Sequence, residues 1–131
     1  MSDEVIGRGW AFPLRTDPTG GIALVARERE IEEAIRLVLG TSPGERPMRP
    51  EFGCHIHDFV FAPADAMTAA AISDEVTRAV SMWEHRVWVD RVDVLQAPDD
   101  QSVFYIDIQY RQRATNSRYN LVFPFYVIPG E

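Results

Sequence analysis

Apolar residues recur in the first third of the chain with the spacing of one helix face. Between about Arg27 and Leu39 they fall at i, i+3, i+4, i+7 and i+8, which forms a single stripe. The stripe consists of Ile31, Ala34, Ile35, Val38 and Leu39. Glu28 and Glu30 precede it, where the helix dipole favours negative charge, and Gly40 follows at the position of a left-handed C-cap. The pattern predicts a first helix that packs against a core.

A second stripe predicts a second helix, which begins between Pro63 and Thr68 and runs to about His85. We expect its buried positions to be Ile72, Val76, Ala79, Val80 and Trp83. The segment Thr41–Pro50 between the helices contains three prolines in ten residues, which predicts a stiff loop. A short apolar cluster follows the loop and predicts one or two helical turns; its members are Phe52, Ile56, Phe59, Val60 and Phe61.

In the last third the period changes to two, which is typical of half-buried strands. One strand is predicted over Val87–Leu95, with a bulge near Asp90 where the alternation slips. The second and third strands follow over about 104–111 and 119–127, after turns at 98–100 and 115–117. The chain is therefore predicted to be α+β. We expect two main helices packed on a small, mostly antiparallel sheet of three to four strands, with an exposed edge strand.

Pro124 lies inside the third predicted strand and identifies it as an edge, because proline cannot donate to a neighbouring strand. Such an edge can accept a strand from another protein. It can equally be a protected edge, in which Pro124 and Arg118 prevent unwanted pairing. The pattern alone leaves both interpretations open.

Residues 1–21 are punctuated by glycine and proline, which predicts an irregular N-terminal arm. Trp10, Phe12 and Leu14 alternate within it and could form a short strand or lie over a neighbour. No repeat or linker divides the 131 residues, so we expect one domain, 1–131.

Charge narrows the classes of partner. The net charge of −7 repels phosphate, so neither nucleic acid nor an anionic membrane is expected as a partner. Met1–Glu4 is acidic with no apolar stretch behind it, and no apolar run approaches the roughly 20 residues that span a bilayer. We therefore expect the protein to be made in soluble form and to remain soluble, unless a partner carries it elsewhere.

Catalytic and metal-binding patterns are weak. Cys54-His55-Ile56-His57 is the best metal candidate, but adjacent side chains diverge and no second ligand pair lies at zinc-site spacing, so we predict no metal and no cofactor. Cys54 lacks an obvious base, because His55 is its chain neighbour, and a semi-buried thiol is the favoured interpretation. A glycosidase needs two carboxylates across a cleft, and no pattern singles out a pair among 20 acidic residues.

The charged residues of the proline loop and the segment at the end of the second helix are two further candidate sites. Arg46 and Arg49 lie among Glu45 and Glu51, which predicts internal ion pairs that stiffen the proline loop. The segment Trp83–Arg86 ends the second helix. Its tryptophan and charged residues could hold the helix to the sheet or anchor a partner, and periodicity alone favours the internal role.

Two segments carry a resemblance to a known family. They are Leu39–Gly53, "LGTSPGERPMRPEFG", followed by Phe59-Val60-Phe61, and Trp83–Val87, "WEHRV". Together they resemble the small baseplate wedge proteins of contractile phage tails, often labelled lysozyme-like, with relatives in type VI secretion and extracellular contractile injection systems. The resemblance extends over about residues 8–128. His85 departs from it, because the family usually carries proline there.

The resemblance implies a structural, non-enzymatic role. We expect a wedge component, present in about six copies around a closed ring, which clamps helices of larger wedge proteins and links the baseplate to the first sheath ring by strand pairing. Spike or inner tube components are further candidate partners, and the finished particle is released in some systems. Phage, type VI secretion and extracellular systems are not distinguished. The alternatives are a lysozyme-like enzyme that cleaves peptidoglycan and an unrelated regulatory adaptor.

The resemblance favours partner binding for Glu84 and Arg86, whereas for Trp83 a place in the core remains the favoured interpretation. The expected partner-binding residues are Trp83, Glu84, His85, Arg86, Tyr119, Leu121, Phe123 and Phe125. The expected loop-structuring residues are Glu45, Arg46, Arg49 and Phe52.

Overall fold

Two helices, a short 3-10 helix and three strands follow one another in the computed structural model, which describes residues 18–128. In chain order they are α1 (Pro18–Gly40), the 3-10 helix (His55–Phe59), α2 (Ala66–Trp83), β1 (Val87–Ala97), β2 (Asp100–Gln112) and β3 (Arg118–Tyr126). The strands form one antiparallel sheet in the order β1-β2-β3. The α+β prediction is confirmed. Within this part of the chain no helix is long and apolar enough to cross a membrane.

Helix α1 begins at Pro18, so the prediction of irregular backbone was wrong for residues 18–21. Proline suits a first helical turn, because the N–H it lacks would have no partner there. Trp10, Phe12 and Leu14 lie outside the described residues. The chain divides into two compact units, Met1–Glu30 and Ile31–Glu131.

The second unit contains the hydrophobic core. Isoleucines from every layer are fully buried there; they include Ile35, Ile56, Ile72, Ile106 and Ile108. Helix α2 presents the predicted stripe to this core, with Asp65 as its N-cap accepting a hydrogen bond from the N–H of Thr68 at 2.9 Å. It packs on β1, where Ser73 Oγ donates to the carbonyl of Val92 at 2.9 Å. Strand β1 forms one edge of the sheet, and α2 therefore covers part of this edge.

The register of the sheet shifts between Val89 and Arg91, which confirms the predicted bulge at Asp90. The turn after β2 contains Asn116 with φ of 58°, a conformation that asparagine tolerates better than most residues. Each strand then alternates between a core face and an outer face.

Strand β3 forms the other edge of the sheet. The N–H of Val127 donates to Ser102 at 2.8 Å, and the N–H of Gln112 donates to Ser117 at 2.9 Å. Antiparallel ladders alternate, so odd-numbered β3 residues bond β2 and even-numbered residues turn their N–H and C=O groups outward. Pro124 is even-numbered, so its missing N–H costs no bond to β2. No described strand pairs with the outer side of β3, and the predicted exposed edge is confirmed.

Candidate partner-binding site

Helix α2 ends at Trp83 without the help of a proline. Glu84 is its C-cap in extended conformation, with φ of −122° and ψ of 90°, and its N–H donates to Val80 at 2.8 Å. The backbone therefore leaves the helix before His85, whose side chain is exposed. Histidine in place of proline does not add a helical turn here.

Glu84 and Arg86 bind each other across this junction. Oε2 of Glu84 accepts hydrogen bonds from the backbone N–H of Arg86 at 3.0 Å and from its Nε at 2.8 Å, and Oε1 accepts from Nη2 at 2.7 Å. The Glu84 side chain is only 6% exposed, whereas that of Arg86 is 47% exposed. The pair thus fixes the tight path from α2 into β1 and leaves a guanidinium surface on the outside.

The ionisation of Glu84 reflects two opposing effects. Burial raises the pKa of this carboxyl, but the hydrogen bonds from Arg86, with the positive charge of Arg86 and His85, outweigh burial and hold the pKa below its ordinary 4.5. Glu84 is therefore an ionised structural acceptor at neutral pH.

Trp83 packs partly against the core, with its ring edge-on to Phe52 at a centroid distance of 5.3 Å. Its Nε1 is buried, and none of the residues that the structure describes offers it a hydrogen-bond acceptor. A buried indole N–H usually finds an acceptor. Sequence reasoning missed this orphan donor, because no spacing rule indicates which way an indole ring turns.

The guanidinium groups of the proline loop stack on these rings. Arg46 and Arg49 each lie 5.2 Å from the centroid of Phe52, and Arg49 lies 5.0 Å from Trp83. The predicted ion pairs with Glu45 and Glu51 were wrong, since no such pair forms among residues 27–128. Exposed ion pairs gain little in water, whereas a guanidinium over an aromatic face is also favoured by packing.

Gly53 explains why the loop motif ends in glycine. Its φ is 130°, and a Cβ there would lie 2.2 Å from the carbonyl oxygen of Thr41. That same carbonyl accepts the N–H of Cys54 at 2.9 Å, which closes the loop between Thr41 and Cys54. A side chain at position 53 is therefore incompatible with loop closure.

The predicted binding residues of β3 face inward. Leu121 and Phe125 are buried in the core, and Tyr119 and Phe123 are partly buried against it. A partner strand would instead meet the outward backbone of the even-numbered residues. Their exposed side chains are Arg118, Asn120, Val122, Pro124 and Tyr126. Pro124 was the signal in the sequence that could have identified this alternate set.

The Cys54–Asp58 segment attaches the 3-10 helix to α2. Glu75 Oε2 accepts the N–H of His55 at 2.7 Å, and the same carboxylate pairs with Arg78 at 2.6 Å. Burial raises the pKa of the Cys54 thiol to about 12, which disfavours the thiolate form that a nucleophile needs. His57 contacts the ring of Phe125, and no metal-binding group of three His, Cys, Asp or Glu side chains occurs in the described chain.

Comparison with known proteins identifies similar chains. Residues 25–117 match the family described as baseplate wedge protein gp25. The chain is 29% identical over 82 residues to baseplate wedge protein gp25 of Enterobacteria phage T4, a match that covers 63% of this chain and 61% of the relative. The chain thus spans less than two thirds of the length of that relative.

Solved structures with the same fold come from several sources. A putative tail lysozyme from Geobacter sulfurreducens is 40% identical, with a TM-score of 0.71 over 92% of this chain and 100% of its own. A chain of the type VI secretion system baseplate complex is 14% identical, with a TM-score of 0.58 over 83% of this chain and 96% of its own. A chain of the anti-feeding prophage baseplate is 18% identical, with a TM-score of 0.53 over 76% of this chain and 68% of its own.

Proposed function

Because the chain belongs to the baseplate wedge protein gp25 family, we propose that it is a structural link inside a contractile injection machine. In this proposal the Trp83–Arg86 segment holds helices of larger wedge proteins. Strand β3 pairs with a strand of the sheath protein and so attaches the first sheath ring to the baseplate. The particle contains about six copies in a closed ring, which assemble in the cytoplasm.

The outward ladder of β3 is the observation that carries the proposal. Its even-numbered residues offer N–H donors at 118, 120, 122 and 126 and a carbonyl at every one of these positions and at 124. An added strand would satisfy these groups along most of β3. Several parallel hydrogen bonds share a mechanical load, which suits a joint that has to remain attached while a sheath contracts.

The α2–β1 junction supports the second contact. The Glu84–Arg86 pair gives the segment one fixed backbone path, so the segment would lose little conformational entropy when a partner binds. The side chain of Arg86 is 47% exposed beside it. A guanidinium group at a rigid turn can bond the carbonyls at the C-terminal ends of partner helices. Chains of the same fold occur in the baseplate complex of the type VI secretion system and in the anti-feeding prophage baseplate.

A pair of proline substitutions tests the strand-pairing contact. Val122→Pro removes an N–H that points outward, so the isolated protein should keep its thermal midpoint within a few degrees while sheath attachment is lost. Phe123→Pro removes an N–H that bonds β2 and should destabilise the fold itself. Attachment is measured by electron microscopy of baseplates assembled with the sheath protein. Normal sheath attachment by folded Val122→Pro would refute strand pairing at this edge.

The description of one relative as a putative tail lysozyme makes peptidoglycan cleavage the second candidate. A glycosidase needs a carboxyl whose pKa is raised so that it can donate a proton. The pKa values of Asp65, Glu75, Glu84 and Asp100 are lowered, which is the opposite of what a proton donor needs. We propose a non-enzymatic protein, because the family and the curated relative are described as baseplate wedge proteins. Purified protein should not clear a peptidoglycan suspension, and clearing that is lost in a single Glu→Gln variant would establish an enzyme instead.

A further inference from the structure

Arginines cluster around an exposed tryptophan at one end of the sheet, on the face turned away from the core. Trp88 is 40% exposed, and the guanidinium groups of Arg111 and Arg113 lie 5.0 and 4.9 Å from its ring centroid. All 13 basic residues of the chain are arginine, the side chain that binds carboxylates in a two-pronged fashion. We call Trp88, Arg91, Arg111, Arg113 and Arg118 the arginine cluster.

The charges in the arginine cluster are only partly balanced. Arg111 Nε donates to both carboxylate oxygens of Asp90 at 3.0 Å, and Arg91 Nε pairs with Asp93 at 2.9 Å. Arg111 also lies directly opposite Arg118 in the β2–β3 register, and like charges in that position repel. An anionic group placed between them would remove this repulsion.

Two members of the arginine cluster have no carboxylate partner among the described residues. Arg113 donates through Nε to the carbonyl of Val87 at 3.4 Å, and Arg118 is exposed on β3. The N–H of Arg113 also donates to the carbonyl of Arg86 at 2.8 Å. The arginine cluster is therefore continuous with the end of the α2–β1 junction.

An open depression of about 810 Å³ crosses the three strands at this end of the sheet. Its lining contains three arginines and one aspartate; the residues are Asp90, Arg91, Gln109, Tyr110, Arg111, Arg118, Tyr119 and Asn120. A space of this size accommodates several side chains, so a polypeptide segment fits it better than a single ion.

We propose that the arginine cluster is a docking surface for an acidic segment of a partner protein, whose carboxylates bind Arg113 and Arg118. A tryptophan with neighbouring arginines has the composition of an interface hot spot. Nucleic acid is disfavoured, because the chain as a whole carries a charge of −7 and repels a long phosphate backbone. The arginine cluster shares Arg118 with the β3 edge and adjoins the Glu84–Arg86 junction, but binding of an acidic segment through the side chains requires neither strand pairing nor a contact with partner helices.

The test is a titration of the full chain with an octaglutamate peptide at low ionic strength, followed by NMR of the tryptophan indole and arginine Nε signals. Saturable shifts are expected for Trp88, Arg113 and Arg118, with the indole assigned from a Trp88→Phe variant. Arg113→Gln and Arg118→Gln should each weaken binding roughly threefold, as for exposed charge pairs. Arg29→Gln is the matched control, since it removes an exposed arginine of α1 and should leave the affinity unchanged.

Three results would overturn the proposal. First, equal chemical-shift changes at Arg29 and at the arginine cluster would show that octaglutamate is attracted to any exposed arginine. Second, an octaglutamine peptide that binds as tightly would show that carboxylates are not recognised. Third, a short DNA duplex that binds more tightly than octaglutamate would assign the surface to nucleic acid.

Discussion

At the scale of single residues, the junction between α2 and β1 depends on one buried carboxylate. Glu84 is nearly inaccessible, and its oxygens accept three hydrogen bonds from Arg86. A buried acid with such partners is stabilised in its charged form and holds the chain in a tight turn. The Glu84 and Arg86 positions of this segment are therefore explained first by folding, because their side chains bind each other and fix the turn.

Replacement of Glu84 by Gln should lower the free energy of unfolding by about 1.5–3 kcal/mol at pH 7, because charge-assisted hydrogen bonds are lost. The folded-state pKa is lowered, so this stability is present above the unfolded-state pKa and is lost as the pH falls through the folded-state pKa. The difference in stability between wild type and Glu84→Gln should therefore shrink as the pH falls below the unfolded-state pKa and close only below the lowered folded-state pKa. Urea unfolding at several pH values measures this, and a difference that persists in acid would contradict it.

Gly53 and Gly44 form a matched pair of substitutions. Gly53→Ala places a Cβ against the Thr41 carbonyl at φ of 130°, so a loss of about 2 kcal/mol or more is expected. Gly44→Ala has open space at φ of 97°, so only backbone strain of about 1 kcal/mol remains. Thermal denaturation compares the two. Equal losses would show that the contact with Thr41 is unimportant.

At the scale of elements, the proline loop is held against the end of α2 by cation–π stacking. Arg49 contacts both Phe52 and Trp83, whereas Arg46 contacts Phe52 alone. The planar guanidinium group makes these contacts, and a lysine ammonium group cannot reproduce them. The loop and the α2–β1 junction therefore form one continuous structure.

Arg49→Lys should lower the free energy of unfolding by about 0.5–1 kcal/mol, and Arg46→Lys should lower it by less, because only Arg49 contacts two rings. Both variants keep the charge, so the difference isolates the stacking. Chemical denaturation gives the energies, and a larger loss for Arg46→Lys would contradict the assignment.

At the scale of the whole molecule, the described part of the chain presents a sheet edge at β3, to which none of its strands pairs, and a rigid α2–β1 junction. Chains of baseplate complexes share the fold at 14% and 18% identity. The core and the meander order of the strands tolerate such divergence, because many apolar residues fill the same volume. Contacts with partners depend on particular surface residues and are expected to vary more.

His85→Pro tests whether the departure from the usual proline affects assembly. The helix already ends at Trp83, and Glu84 has the extended conformation that precedes proline, so the variant should fold and be equally or slightly more stable. Incorporation into baseplates, measured by sedimentation of assembled particles, should match that of the wild type. A folded variant that failed to join would show that the imidazole itself contacts a partner.

The sequence alone determined three features of the fold: the order of helices and strands, the bulge at Asp90 and the edge position of β3. Each follows from periodicity or from the missing N–H of proline, which are local properties of the chain. The loop-closing role of Gly53 was not evident, because it depends on Thr41, a residue twelve positions away.

Only the tertiary structure decided which groups meet. It placed Arg46 and Arg49 on aromatic rings instead of beside Glu45 and Glu51, and it buried Leu121 and Phe125 in the core. It also placed the guanidinium groups of Arg111 and Arg113 on the ring of Trp88, and it left the indole N–H of Trp83 without a hydrogen-bond partner among the described residues. Such contacts join residues far apart in the chain, and their geometry depends on packing of the whole core, which no local spacing encodes.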